Sequence, residues 1–460
     1  MARRRIAAVV AGVLVLGGYT AADAADVVPG VLTTDPVPAD PRPFPDLAVP
    51  GDGLRAPTVA GPDTDAPSPA PAALEGMAEA LRADHRMLGE ASVVVADAVT
   101  GEVLLDSEGA TPRRPASSLK ILTAAAALAA LGPDRVLTTS VVQPGDDRVV
   151  LVAGGDVMLA AGEGDPGAVR GHAGLADLAA ATAAELTAQG VGEVSVSLSD
   201  GLFTGPVHAP GWSGLDLDFV MPVQALAVDS GRDPAGDYLD DPALEAARTF
   251  AAALSDAGVA VSGSVRRTPL PDDDLEPIAA VDSAPLAAVV RETLRSSDNS
   301  VTEVLGRLVA IERGGTADFG GATAAVRDQL GDLGLDVEGV TLADTSGLSM
   351  DTTVPARLLT DVLTAALDPA RPELAALVPG LPVGNLDGTL AERFTGDLAG
   401  RVRAKTGTLT VASSLSGTVL TADGRLVVFS VLTDDLPVGT TFQARLAIDD
   451  LVRSLGACGC

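Results

Sequence analysis

Only two of the 31 basic residues in this chain are lysines, Lys120 and Lys405. Arg keeps its proton at any ordinary pH, whereas a partly buried Lys can become a neutral amine and accept one. Codon bias alone could leave two stragglers, so their surroundings decide whether they do chemistry. Lys120 closes Ser117-Ser118-Leu119-Lys120 at the start of an expected helix. Residues three apart on a helix share a face, so the Ser117 hydroxyl and the amine can meet. The helix start also leaves backbone N–H groups free to stabilise negative charge. Lys405 opens Lys405-Thr406-Gly407-Thr408 in an expected strand, and between the lysines Ser297-Asp298-Asn299 forms an expected turn between two helices. Each piece alone is weak, since Ser-x-x-Lys recurs by chance and Ser-Asp-Asn is ordinary turn chemistry. Both lysines falling in these two contexts, with the turn between them, is specific. The chemistry it suggests is nucleophilic attack by a serine that an amine has activated.

Competing systems fare badly. His85, His172 and His208 are scattered, and no Gly-x-Ser-x-Gly elbow supports a Ser-His-Asp triad. No His-Glu-x-x-His or Cys/His cluster offers a zinc site, and Gly314-Gly315 and Gly320-Gly321 lack the Lys of a phosphate loop. No metal or cofactor is expected. The net charge of −31 repels phosphate backbones, which argues against nucleic acid as a partner.

These residues must be held by a fold that 460 residues can build in more than one domain. The composition is 47% hydrophobic but only 2% aromatic, so cores rest on Ala, Val and Leu. Three arginines, an apolar run over 6–19 and Ala22-Asp23-Ala24 read as an export signal over 1–25, either cleaved or kept as an anchor. No Cys lies there to take a lipid. Residues 26–72, rich in Pro, Asp and Gly, read as a flexible spacer. A hairpin over 92–96 and 102–105 precedes the 117–131 helix, which stops at Gly132-Pro133. Strands are expected over 136–142, 149–152, 194–198 and 259–265, with helices over 173–188 and 244–257. Further helices are expected over 286–294, 300–311, 323–333 and 355–367, with a short one at 389–394. The C-terminal third is strand-rich, at 402–406, 414–420 and 425–432, and closes with a helix over 442–455. The fold class is therefore α/β (α+β). Two N-terminal and three C-terminal strands form one antiparallel five-stranded sheet flanked by helices, and the middle of the chain is an inserted α/β domain. The catalytic domain is discontinuous, 73–135 and 285–457, with the insert at 136–284. Residues 458–460 form a frayed tail bearing both cysteines, Cys458 and Cys460.

At its motifs the sequence resembles the D-alanyl-D-alanine carboxypeptidase/endopeptidase family of low-molecular-mass penicillin-binding proteins, and shares their Ser-x-x-Lys, Ser-x-Asn and Lys-Thr-Gly order. Pro115-Ala116-Ser117 with Lys120-Ile121-Leu122-Thr123 resembles the family's nucleophile segment. Asp344-Thr345-Ser346-Gly347-Leu348-Ser349 resembles its Gly-Ser-Gly-Leu-Ser loop, with Thr345 in place of the first Gly. Leu386-Asp387-Gly388-Thr389-Leu390 and Arg403-Ala404-Lys405-Thr406-Gly407-Thr408-Leu409 resemble its third segment. In the insert, Gly154-Gly155-Asp156, Pro210-Gly211-Trp212 and Pro222-Val223-Gln224-Ala225-Leu226 are similar to recurring family pieces. The short gap from Lys120 to Ser297 implies a reduced or single inserted domain.

The resemblance implies a penicillin-binding/serine β-lactamase-like transpeptidase fold and a serine-type D-Ala-D-Ala carboxypeptidase, with endopeptidase action on the same groups. Its substrates would be peptidoglycan stem peptides, and β-lactams its covalent inhibitors. The protein would act outside the cytoplasm at the wall, secreted or held to the membrane only by its N-terminus. It also implies roles. Ser117 attacks the penultimate D-Ala carbonyl, and Lys120 is the base, its pKa lowered by Lys405 and partial burial. Ser297 relays a proton to the leaving nitrogen, and Asn299 holds Lys120 and the substrate amide. Lys405 with Thr406 or Thr408, in the Gly407 strand, binds the terminal carboxylate, and the N–H groups of Ser117 and Thr408 form the oxyanion hole. Two rivals remain: a serine β-lactamase, disfavoured by the long stretch from Ser117 to Ser297, and an idle wall-peptide-binding module, disfavoured because every reactive group is present.

Overall fold

The computed structural model describes residues 62–270 and 275–459, together with 16–17, 19–23 and 27. The chain forms two compact units, Met1–Ala60 and Gly61–Cys460. In the first, positions 16–17 and 19–23 are helical; the rest of the expected signal and most of the spacer lie outside the described residues. No helix among the described residues is long and apolar enough to cross a membrane.

The second unit opens with α1 (Pro71–Ala83), β1 (Glu90–Asp97), β2 (Val103–Ser107), the short β3 (Pro112–Arg113), a 3-10 turn (Ala116–Leu119) and α2 (Lys120–Leu131). There follow β4 (Thr138–Gly145), β5 (Arg148–Val152), α3 (Leu175–Ala188), β6 (Glu193–Ser199), α4 (Pro242–Asp256), β7 (Ala260–Val261), β8 (Arg266–Arg267) and β9 (Pro277–Asp282). The remainder is α5 (Leu286–Ser296), α6 (Asn299–Glu312), α7 (Phe319–Asp332), β10 (Val354–Pro355), α8 (Ala356–Ala365), β11 (Val402–Leu409), β12 (Ala412–Leu420), β13 (Leu426–Asp434) and α9 (Thr441–Ala457).

Five strands from the two chain ends form one antiparallel sheet in the order β11-β12-β13-β1-β2. The period-2 alternation of a strand splits its side chains between two cores. Val94, Val428 and Leu432 face α2, α5, α6 and α8, whereas Val93, Val95, Val427, Phe429 and Val431 face α1 and α9. Every residue of α2 from Lys120 to Leu128 is buried, which its alanines permit by letting neighbours approach on all sides. The helix ends where Gly132 adopts φ 86° before Pro133.

The insert is a single sheet in the order β7-β6-β5-β4-β9, with β8 also on β6, and its core packs against α3 and α4. Several local expectations change. The strand at 259–265 is only β7 and β8, broken where Gly263 takes φ 73°. The helix at 389–394 shrinks to a 3-10 turn over Gly388–Leu390, because Phe394 turns left-handed at φ 58° to fill the α9 core. β9 has no counterpart in the sequence reading: its Pro277-Ile278-Ala279-Ala280 start lacks strand alternation, and pairing to β4 alone specifies it.

Three boundaries move as well. The spacer's last stretch is laid on the catalytic unit: Asp63 N–H donates to Gly424 O, and Arg425 donates to the carbonyls of Thr64 and Ala66. The insert is not a free-standing block, since Ala209, Trp212, Val220, Met221 and Val223 sit in the catalytic core with α2 and α6. The tail is docked at its start, where Cys458 is disulfide-bonded, 6% exposed, and accepts a bond from Ala422 N–H.

Candidate active site

Ser117 lies on the 3-10 turn that leads into α2. Ala116 before it takes φ 47°, a conformation most residues avoid and one held here by its neighbours. Arg113 anchors the approach: its guanidinium donates to Ser92 Oγ (2.8 Å) and Asp434 Oδ1 (3.0 Å) in the sheet. Two glycines close on the turn from opposite sides. A Cβ on Gly347 would overlap the Ala116 carbonyl, and one on Gly407 would lie 2.6 Å from the Pro115 carbonyl and overlap Ser414 Oγ. Ser414 in turn donates to Pro115 O at 2.6 Å and lies 2.8 Å from Ser118 Oγ.

The first residue of α2, Lys120, is fully buried, and its Nζ donates to Ser117 Oγ (3.0 Å), Asn299 Oδ1 (2.6 Å) and Ser346 O (2.8 Å). Burial pushes its pKa down to about 8, against the pull of Asp344, Glu303 and Asp298. The positive end of the helix acts in the same direction as burial. The two lysine charges repel each other, and the amine that loses its proton first bears that repulsion. Burial, then the charges of Lys120 and Arg393, hold Lys405 well below the ordinary lysine value. Burial is the leading cause at Lys120, and a charged Lys405 would push in the same direction.

Ser297 and Asn299 are placed by the junction of α5 and α6. Ser297 is the left-handed C-cap of α5 at φ 60°, and Asp298 is the N-cap of α6, accepting from Val301 N–H at 3.1 Å. Asp298 is also gripped from the insert side by Arg170 (2.6 Å) and Ser230 (2.9 Å). The turn so fixed brings Ser297 Oγ within 2.9 Å of Lys405 Nζ, which also donates to Thr406 O at 2.8 Å. Asn299 Nδ2 donates to Phe219 O at 2.9 Å, leaving its second N–H uncommitted.

Strand alternation sorts the last motif. Lys405 and Gly407 face the nucleophile turn, while Thr406 faces the side of Ala404, with its hydroxyl 3.0 Å from that of Thr389. Thr408 is exposed. β11 is an edge strand: Val402 O and Ala404 N–H are taken by residues 382–384 on its outer side. By the antiparallel alternation of backbone groups, Thr406 and Thr408 turn theirs toward the same open edge. Ser117, Lys120 and Asn299 thus form one contact group and Ser297 with Lys405 a second, joined through the 297–299 turn, with Thr406, Gly407 and Thr408 on the β11 strand.

Sequence reasoning named Ser346 and Asp344 only as part of the 344–349 loop and gave no role to the Ser346 carbonyl, the third acceptor for Lys120; Glu303 beneath it was not named. A Glu between the apolar Val301 and Val304-Leu305, one turn after Asn299, was the available signal.

A model of the D-Ala-D-Ala carboxypeptidase 3 (S13) family matches residues 74–236 and 233–455. Carboxypeptidase DacB of Mycolicibacterium smegmatis is 36% identical over 99% of this chain and 95% of its own. The D-alanyl-D-alanine carboxypeptidase of an Actinomadura species is 30% identical over 81% of this chain and 82% of its own. Among solved structures, penicillin binding protein 4 of Haemophilus influenzae superposes with a TM-score of 0.66 at 20% identity, over 82% of this chain and 99% of that one.

Proposed function

The chain belongs to the D-Ala-D-Ala carboxypeptidase 3 (S13) family of serine peptidases, and from that membership we propose that Ser117 is its nucleophile and Lys120 the base that activates it. The observation that carries the reading is the 3.0 Å contact between the Lys120 amine and the Ser117 hydroxyl, in a site whose burial lowers the lysine pKa to about 8. A base of that pKa is neutral in a usable minority of molecules near physiological pH and in most of them above pH 8.

In acylation, neutral Lys120 takes the Ser117 proton as Oγ attacks the carbonyl of the penultimate D-Ala. The departing nitrogen takes its proton from the Ser297 hydroxyl, which is replenished by Lys405 through their 2.9 Å contact. The terminal carboxylate of the stem peptide favours the charged form of Lys405, offsetting the burial that otherwise disfavours it. In deacylation, water gives its proton back through Ser297 to Lys405, and Lys120 returns the Ser117 proton. Asn299 fixes Lys120 and turns its remaining N–H to the substrate. N–H groups of Ser117 and Thr408 make the oxyanion hole, typically worth about 3 kcal/mol per donor. Thr406 and Thr408 sit where a peptide laid along the β11 edge ends. The protein acts on wall peptides and takes β-lactams as mimics of them. It works outside the cytoplasm, delivered by the signal at its N-terminus.

Intact mass after incubation with penicillin tests this reading. A long-lived adduct mapped to Ser117, absent from Ser117→Ala, with release of D-Ala from a wall pentapeptide, is expected. Rapid loss of penicillin without a lasting adduct would make the protein a β-lactamase, and no adduct at all an idle binding module.

A further inference from the structure

Beneath the site two buried carboxylates, Glu303 on α6 and Asp344 on the loop before α8, hold the segment that delivers the Ser346 carbonyl to Lys120. Both are completely buried. Glu303 Oε1 accepts the consecutive backbone N–H groups of Thr345 (3.1 Å) and Ser346 (2.8 Å), and its Oε2 accepts Thr345 Oγ1 (2.8 Å). Asp344 accepts from the next part of the loop, Gly347 N–H (3.0 Å) and Ser349 N–H (2.5 Å), and from Trp212 Nε1 (3.1 Å). The peptide units between them have little freedom left. The Thr345 carbonyl is fixed by Thr123 Oγ1 at 2.6 Å, and Gly347 abuts Ala116 directly. The Ser346 carbonyl is left aimed at Lys120 Nζ.

We propose that Glu303 is a positioning residue for the acylation step, clamping the Thr345 and Ser346 amides so that the Ser346 carbonyl and a buried negative charge both face the Lys120 amine. This rests on the reading of Lys120 as the base. The donor set explains why the position needs a carboxylate. A Gln would present one oxygen to three donors and turn its own N–H groups toward backbone N–H groups. The same donors explain Thr345, whose hydroxyl reaches Glu303 and whose methyl-bearing carbon fills the space over Gly306.

The groups facing Lys120 are Glu303 and Asp298 on α6, Asp344 on the loop, and Lys405 on β11; Arg307, one turn along α6, feels the charge of Glu303. Burial and the neighbouring Asp344 carboxylate push Glu303 up to about 7, still below Lys120, so Glu303 is charged over the range in which Lys120 loses its proton. Removing that charge makes the Lys120 ammonium less favourable, so Lys120 becomes neutral at lower pH.

The test is the second-order rate of acylation of the full chain by a fluorescent penicillin across pH 5–10. Glu303→Gln should slow acylation roughly tenfold or more through the displaced amine. It should also move the acid limb of the profile to lower pH by about half a unit or more. A slower enzyme with its limb unmoved would reduce Glu303 to a structural role and overturn the proposal. Should Glu303→Gln not fold, Thr345→Val, which withdraws one donor from the carboxylate, must move the limb the same way by a smaller amount; an unmoved limb again overturns it. Lys120→Arg is the control for the premise. If it acylates like the parent, the base assignment fails and this proposal with it. If it is inactive while the Glu303→Gln limb stays put, only the positioning role fails.

Discussion

An amine can accept the proton of a serine only while it is neutral, and at Lys120 that condition is set chiefly by burial. The sign of the pH dependence follows. Below about 8 the ammonium form predominates and cannot take the Ser117 proton, so acylation should fall about tenfold per unit on the acid side and level off above. Stopped-flow acylation by a chromogenic β-lactam between pH 5.5 and 9.5 measures this; a flat profile would point to a different base. At this scale the sequence was legible because Arg had displaced Lys almost everywhere else, which left the two amines conspicuous. The supporting carboxylates were harder to see. Glu303 acts through backbone amides 42 and 43 positions away and Asp344 through amides three and five positions on, and backbone partners leave no mark on residue type.

The elements converge on the nucleophile turn from three directions: α2 continues it, the 344–349 loop presses it through Gly347, and β11 presses it through Gly407. Gly407→Ala tests the tightness of that convergence. The added methyl would meet the Pro115 carbonyl at 2.6 Å and Ser414 Oγ closer still, so β11 and the turn must separate. A loss of about 1–3 kcal/mol in denaturant unfolding is expected, together with a clear fall in acylation rate because Lys405 moves with the strand. Unchanged acylation would show that the distance between strand and turn tolerates a methyl group. Strands that are short β-branched runs bounded by turn residues, such as β1 and β13, and helices with clear stops, such as α2, were readable from local pattern. β9 and the shortened turn at Gly388–Leu390 were not. Their conformations are imposed by a partner strand and by the Phe394 core contact, and such tertiary preferences override local signals. For the same reason the 209–223 segment read as part of the insert, although Trp212 belongs to the catalytic core.

Over the whole of the second unit, its two ends are tied together by the sheet and by buried ion pairs, Arg113 with Asp434 and Arg425 with Asp97. Arg425 Nε and Nη2 grip Asp97 at 2.6 and 2.8 Å, with both side chains all but inaccessible, while Nη1 holds the 62–70 stretch. Burial works against the Asp97 carboxylate, but the Arg425 fork and the Ser68 hydroxyl keep it well below the usual carboxylate range. Arg425→Ala strands that carboxylate and should cost about 3–5 kcal/mol in urea unfolding, with residues 62–70 becoming accessible to proteases; a loss near zero would mean that water reaches Asp97. The sheet that joins β1 to β11 has a further meaning in time. Ser118 beside the nucleophile bonds to the Lys405 carbonyl, 287 positions later in the chain. At ordinary synthesis speeds that separation is roughly 15 to 60 seconds. Asn299 and the Ser346 carbonyl arrive within that interval and Lys405 only at its end, so the serine is at first chemically an ordinary alcohol. On the reading of Ser117 as nucleophile, its reactivity arrives with the last third of the polypeptide, and a chain ended before Lys405 should carry no acylating centre.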